Sequence, residues 1–322
     1  MSSKKQLFFL YIFLSLSIFI LYPCTLLSKV INILSPLNYL DFQRIQEIKK
    51  IGKFDVNIEF VSSKTDYFYK IKNGYGKYDV VIANSEVIKR LHDDYEMLRL
   101  DFLKKMHKER ENVDGYPYFK ELTIIPYGFI TKENLNKENT SWNVLTDRTL
   151  YPKFRQQIFL PKRKGYYYLA IGSFANNKEL SINDSKLDAD VKKWLFKLKG
   201  QLISSNDSVL KLLEKNKMLL TADFLTNFQV LKKEIKPLKF IIPKEGTFYN
   251  DISIAILASS KRQNEATTFT ELLFKSIPSL NDNLGYFPNL KIKSIPRNWK
   301  SISTLKNLPK KLERQVNRIM NY

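Results

Sequence analysis

The chain has 322 residues, of which 44% are hydrophobic, 13% aromatic and 26% charged. That is ample apolar material for two cores in domains of roughly 100 to 200 residues each, and it excludes a disordered chain. The net charge of +21 invites an anionic partner, but lysines outnumber arginines about four to one and the basic residues are scattered, with only short runs such as Lys162-Arg163-Lys164. No zinc-finger, RNP-like or long basic-helix pattern accompanies them, so nucleic acid is not expected as a partner.

Taken in chain order, the first element is an export segment. Lys4 and Lys5 precede an apolar stretch from Leu7 to about Leu21, the basic and apolar regions of a secretory signal. Pro23-Cys24 follows, and a lipoprotein site needs a small residue where proline stands. Three fates are open: lipidation at Cys24, cleavage near Ser28, or retention of residues 1–28 as an anchor, since Leu7 to Leu27 is nearly long enough to span a bilayer. Each places the body of the protein in the periplasm or anchored on the outer face of the inner membrane. Cys24 is the only cysteine, so the body holds no disulfide, thiolate metal site or cysteine nucleophile.

From Lys29 short β runs alternate with helical patterns, the signature of α/β lobes with largely parallel sheets. Val30 to Leu34 is a buried strand, Phe42, Ile45, Ile48 and Ile51 recur at helical spacing, and Val56 to Val61 is a second strand. Thr65 is placed to cap a helix carrying Phe68 and Ile71. Asp79 to Ala83 is a third strand, leading through Asn84-Ser85 into a helix with Val87, Ile88 and Leu91. Ligands of such sheets bind beyond the carboxyl ends of the strands, here around Ser35 to Tyr39 and Asn84 to Glu86. A second unit begins near Tyr127. It comprises a short helix from Trp142, a strand at Gln157 to Leu160, and a helix with Val191, Leu195 and Leu198 ending at Gly200. Gln201 to Ser204 is a further strand, Asn206 or Asp207 caps a helix bearing Val209, Leu212 and Leu213, and Met218 to Ala222 precedes a helix through Phe228. Strands at Lys239 to Pro243 and Ile252 to Ile256 and a helix with Ala266, Phe269, Leu272 and Leu273 complete the pattern.

The order of four segments resembles the spermidine/putrescine-binding proteins of bacterial ABC importers. They are Tyr78 to Ile82; Ile125-Pro126-Tyr127-Gly128 followed by Thr140-Ser141-Trp142; Pro243-Lys244-Glu245-Gly246; and Leu284-Gly285-Tyr286 with Pro288-Asn289. The resemblance, covering about Val30 to Leu290, implies the two-lobed α/β type II periplasmic-binding-protein fold with a hinge and interlobe cleft. Lobe one would take residues 29–125 and 250–288, and lobe two 126–249 and 289–322. It also implies a monomer with no cofactor, a small polyamine-like ligand, and the permease subunits of an ABC importer as partners.

Polyamine sites of this family line the alkyl chain with aromatic rings and meet the ammonium groups with carboxylates. Carried over residue by residue, the resemblance points to Tyr39, Asn84, Glu86, Tyr166, Asp223, Tyr249 and Asp251 as ligand-binding positions. Each has a plainer alternative. Tyr39 and Tyr249 equally well cover a core edge, Tyr166-Tyr167-Tyr168 resembles the paired tyrosines of ferric-ion binders but reads better as core packing, and the three carboxylates stand where helices and strands begin, a common place for caps. At Pro161 to Tyr166 the family carries acids and this chain carries Lys162-Arg163-Lys164, which would repel a diammonium ligand or attract an anionic one. The same fold with an anionic or metal ligand, and a membrane-tethered sensor that transports nothing, therefore stay open. No G-x-S-x-G, H-E-x-x-H or Walker pattern is present, His92 and His107 have no ligand pattern around them and read as surface residues, and no enzyme is expected.

Overall fold

Isoleucine and valine runs too short for helices make the first strands, and each is followed by a stretch whose apolar residues recur every three or four positions. In the computed structural model, strands β1 (Val30–Pro36), β2 (Asp55–Val61) and β3 (Val80–Ala83) alternate with helices α1 (Phe42–Gly52), α2 (Lys64–Asn73) and α3 (Ser85–Asp94). The structure describes residues 29–36, 40, 42–61, 63–100, 117–135, 140–149, 151–179, 186–283, 298–302 and 309–320, the side chains of 277–283 excepted. Residues 1–28, where an export segment is expected, Tyr39, His107 and the Leu284 to Asn289 segment lie outside these residues. β1 is parallel to both β2 and β3. Alternation does the sorting: Ile31, Ile33, Val80 and Ile82 face Ile45 and Ile48 of α1, whereas Leu34, Val81 and Ala83 face α2 and α3. The cap of α2 is Ser63, whose Oγ accepts from the Asp66 amide at 3.2 Å, and not Thr65, which sits inside the first turn.

The long strand β4 (Lys120–Thr131) breaks this alternation. Its first half, Lys120 to Pro126, runs antiparallel to β8 (Phe248–Ile256), and β8 runs antiparallel to β3. Its second half, from Tyr127, runs antiparallel to β6 (Leu220–Phe224) and, at Phe129 to Thr131, to β7 (Lys239–Ile241). β5 (Ile158–Phe159) is parallel to β6, and β9 (Lys300–Ser301) is parallel to β8. The described strands thus form one hydrogen-bonded path but two sheets, because β4 changes partners between Pro126 and Tyr127. The expected parallel pairing survives at the outer strands; the centre is antiparallel because β4 and β8 both cross from one sheet toward the other. Gly128 lets the second sheet close, since a Cβ there would lie 2.7 Å from the Ile241 carbonyl oxygen.

The second sheet is covered by α4 (Gly165–Ala175), α5 (Ala189–Lys199), α6 (Val209–Glu214), α7 (Leu225–Glu234) and α9 (Lys310–Met320), while α8 (Gln263–Asn283) packs on α1 and β8. Ten of the eleven residues of α4 are buried. A helix apolar on all sides shows no periodicity, which is why the sequence pattern did not disclose it. α5 and α9 pack on α4 and on each other. Two glycines seven residues apart on α4, hence on one face, make room for them. A Cβ on Gly172 would meet Val191 Cγ1 of α5 at 3.0 Å, and one on Gly165 would meet the Glu313 carbonyl oxygen of α9 at 2.7 Å.

Two further expectations are corrected. The cap of α6 is Ser208, whose Oγ accepts from the Lys211 amide at 3.3 Å, not Asn206 or Asp207. Residues 201–204 contribute a single bridge, Leu202 to Ile158, because the two-residue β5 offers no longer edge to pair with. Among the described residues no helix is long and apolar enough to cross a membrane.

Candidate ligand-binding site

Polar side chains gather at the carboxyl end of one strand in each sheet, where β3 gives way to α3 and β6 gives way to α7. In the first sheet, Asn84 does not cap α3 with its side chain. Its Nδ2 reaches across to β8, donating to the Asp251 carbonyl oxygen at 3.1 Å and to Asn250 Oδ1 at 3.4 Å. The Asp251 carboxylate supplies the missing cap by accepting the Ser85 amide at 3.1 Å, and it accepts the Ser301 hydroxyl at 3.3 Å. The Ser85 and Ser253 hydroxyls are 2.7 Å apart. Asp251 is only 7% exposed, and among the described residues no lysine or arginine pairs with it. Glu86, one residue further into α3, takes an ion pair from Lys64 at 2.5 Å. Tyr249, on the same face of β8 as Asp251, is buried with Ile124 and Trp299.

In the second sheet Asp223 is 5% exposed and richly partnered. It accepts the Phe224 amide and Asn227 Nδ2, each at 2.8 Å, and forms an ion pair with Arg163. The guanidinium also lies 5.8 Å from the Phe224 ring centroid. Burial pulls the Arg163 pKa down, but Asp223, helped by Tyr127 and Tyr167, more than offsets this and leaves it raised. The basic run therefore splits: Arg163 turns inward to neutralise an acid, while Lys162 and Lys164 are exposed.

An aromatic box joins the two sheets. Tyr127, at the partner change of β4, stacks on Phe248 at 4.5 Å between centroids, meets Phe224 edge-on at 5.1 Å, and donates to the Ala222 carbonyl at 2.6 Å. Its burial, then the nearby Asp223 charge, raises its pKa well above the ordinary value. Tyr167 lies 5.3 Å from Phe248 and stacks on Tyr166 at 4.6 Å. Tyr166 is buried in the first turn of α4. Its pKa is raised first by burial, then by Tyr167, Glu313 and Glu86. The influence of Glu86 brings the start of α3 and the start of α4 into electrostatic reach of each other.

The remaining motif residues brace this arrangement. Glu245 accepts the Ser141 hydroxyl and, at 3.2 Å, the Trp142 amide; Trp142 Nε1 donates to the Gly246 carbonyl at 2.8 Å; and Thr247 Oγ1 donates to the Tyr127 carbonyl at 2.5 Å. Thr140-Ser141-Trp142 and Pro243 to Gly246, far apart in sequence, are one structural clasp.

Of the sequence candidates, Asn84 and Asp251 touch, Glu86 and Tyr166 are electrostatic neighbours, Asp223 is held by Arg163, and Tyr249 packs beside Trp299. Ser85 and Tyr167 lie inside stretches that the sequence marked, Asn84 to Glu86 and Tyr166 to Tyr168, without being singled out; Ser253 and Ser301 were missed, and Ser301, fifty residues from Asp251, has nothing local to mark it. His92, expected at the surface, is half-buried and stacks on Tyr118 at 4.2 Å. Among the described residues no three or more His, Cys, Asp or Glu side chains converge as a metal site would require.

A sequence profile of the bacterial extracellular solute-binding proteins matches residues 77–282. The chain belongs to this family. No curated protein sequence matches it. Several solved structures are similar in three dimensions. The spermidine/putrescine ABC transporter substrate-binding protein PotD of Streptococcus pneumoniae is 15% identical with a TM-score of 0.71, over 91% of this chain and 100% of that one. The TpPotD lipoprotein of Treponema pallidum is 13% identical with a TM-score of 0.66, over 91% and 100%. The apo ferric ion-binding protein A of Pasteurella haemolytica is 14% identical with a TM-score of 0.59, over 91% and 96%. At such identities the likeness establishes the fold, the two-lobed α/β type II periplasmic-binding-protein fold. Neighbours named for spermidine/putrescine and for ferric ion share it.

Proposed function

We propose that this solute-binding protein works outside the inner membrane as the receptor of an ABC importer, closing on a polyamine-like cation and presenting it to the permease subunits. Lobe one comprises residues 29–125 and 250–288, lobe two 126–249 and 289–322, and the partner change of β4 with the start of β8 is the hinge. Closure is a population shift, driven by contacts that the ligand makes only when both lobes reach it.

The observation that carries this reading is Asp251. A carboxylate buried to this degree ordinarily has a cation beside it, and Asp251 has two neutral donors instead. A ligand ammonium would supply the missing charge, with Asn84, Glu86, Tyr166 and Tyr249 around it and Tyr39 as a further wall. The test is calorimetric titration of spermidine and putrescine into the wild type and Asp251→Asn. The variant should bind at least about 100-fold more weakly, the cost of leaving an ammonium without its buried partner. Wild-type silence toward both amines, or equal affinity in the two proteins, would refute the cationic ligand.

The basic run favours a second reading, a ligand with an acidic group, because Arg163 already neutralises Asp223 and so leaves that acid occupied at the end of the second sheet where a diamine's far ammonium would want one. Titrating a short-chain dicarboxylate in the same experiment separates the two.

A further inference from the structure

Away from the strand ends, α5 and α9 present a surface of a different kind. On α5 the residues Lys192, Lys193, Phe196, Lys197 and Lys199 are all exposed, and Val191, Trp194, Leu195 and Leu198 are buried beneath them. At 100° per residue Phe196 stands inside the arc spanned by Lys192, Lys193 and Lys199, its neighbours four back, three back and three ahead. The ring is 54% exposed, one of the few large apolar side chains so placed. On α9 the pattern recurs: Lys310, Lys311, Arg314 and Arg318 are exposed over buried Leu312, Val316, Ile319 and Met320.

Both helices lie against one face of α4, one over Gly172 and the other over Gly165, and they touch each other, so their outer faces adjoin. Leu187, just before α5, is tied to α9 through its amide and Gln315 Oε1 at 3.3 Å. Among the described residues none of these eight cations has an ion pair. The acids nearby do not cancel them: Asp190 pairs with Lys178 at 3.2 Å, and Glu313 is half-buried on the flank of α9.

We propose that the joint α5–α9 face docks on an anionic phospholipid surface, with Phe196 entering the headgroup layer and the lysines and arginines meeting the phosphates. Three features select a membrane over other polyanions. The family is extracellular, which removes nucleic acid as the ordinary partner; the sequence begins with an apolar stretch, Leu7 to Leu21, of the kind that directs a chain to a bilayer; and an exposed aromatic ringed by lysines matches an interface that is apolar inside and anionic outside. Cations near such a surface each strengthen binding by roughly fivefold, and salt screens them.

The single cysteine makes the test clean. In a Cys24→Ser background, an environment-sensitive fluorophore is placed at Phe196→Cys and, as a control on lobe one, at Tyr75→Cys. The full chain is then reconstituted in vesicles of phosphatidylcholine alone or doped with phosphatidylglycerol. The position-196 label should shift to the blue only in the doped vesicles. The shift should reverse with added sodium chloride and disappear when Lys192, Lys193, Lys197 and Lys199 are changed together to serine, whereas the position-75 label should not respond. Equal shifts in the two lipids, no shift in either, or a shift that survives the four substitutions would overturn the proposal. So would a shift produced as strongly by a soluble single-stranded oligonucleotide as by the doped vesicles, which would reassign the face to nucleic acid.

Discussion

Asp223 and Asp251 stand at corresponding places, each buried beside the start of a helix on an interior strand of its own sheet, yet their charges are met in different ways. Asp223 has an arginine from its own chain, a backbone amide and a side-chain amide. Asp251 has a backbone amide and a hydroxyl. On the function proposed above, the difference has a meaning: a buried carboxylate with an internal counter-ion needs no ligand for its charge, whereas one held only by neutral donors would gain from a cation arriving from outside what the chain did not provide.

The contrast can be broken most sharply at Arg163. Arg163→Met should lower unfolding free energy by about 3 kcal/mol or more, because it strands a buried charge, and adding Asp223→Asn should recover much of the loss. Asp251→Asn should move stability by no more than about 1 kcal/mol while it weakens amine binding as stated above. Urea denaturation of the four proteins measures the stabilities; a larger stability loss at Asp251 than at Arg163 would reverse the assignment of roles.

The junction that both acids depend on is next. Gly128→Ala sets a methyl group 2.7 Å from the Ile241 carbonyl oxygen, and a displacement of β7 from β4 should cost about 1–3 kcal/mol. Thermal unfolding checks it, and an unchanged melting temperature would mean that the β4 crossing adapts freely.

The smallest effect extends the comparison to a surface acid. Glu59 on the outer strand β2 meets Lys70 at 2.5 Å, Lys77 at 2.7 Å and the Tyr78 hydroxyl at 2.8 Å, and these bonds, Lys70 first, lower its pKa from 4.5 to about 2. A carboxylate whose folded pKa is depressed stabilises the fold above its unfolded pKa and loses that contribution as pH falls. The window is therefore pH 4.5 down to about 2. Glu59→Gln should flatten the decline of melting temperature across it, and only slightly, since the network is open to solvent and salt. An identical acid decline in the variant would remove Glu59 from the account.

What was legible in the sequence follows from which forces act locally. The alternation of Val30 to Leu34 and Asp79 to Ala83 with amphipathic stretches is a local pattern, and it led directly to β1, α1, β3 and α3. The glycines and tryptophan of the recurring segments were visible too, though their work proved to be bracing: Glu245 serves Ser141 and Trp142, not a ligand. The long β4 was hidden because its burial is continuous from Ile124 to Thr131, with no alternation to read. The inward turn of Arg163 was hidden for another reason. A charge run looks the same whether it is solvated or paired, and its partner, Asp223, is sixty residues away.

The last helix described has a consequence for how the chain is made. α9 contributes Leu312, Val316, Ile319 and Met320 to the core beside α4 and closes on the backbone at Gly165, so the second half of the fold cannot be completed until residues 310–320 have been synthesised. For a member of an extracellular family, that order of events suits export. Translocation machinery that threads extended polypeptide would meet a second half still lacking one wall of its core, and the wall would be set in place only on the far side.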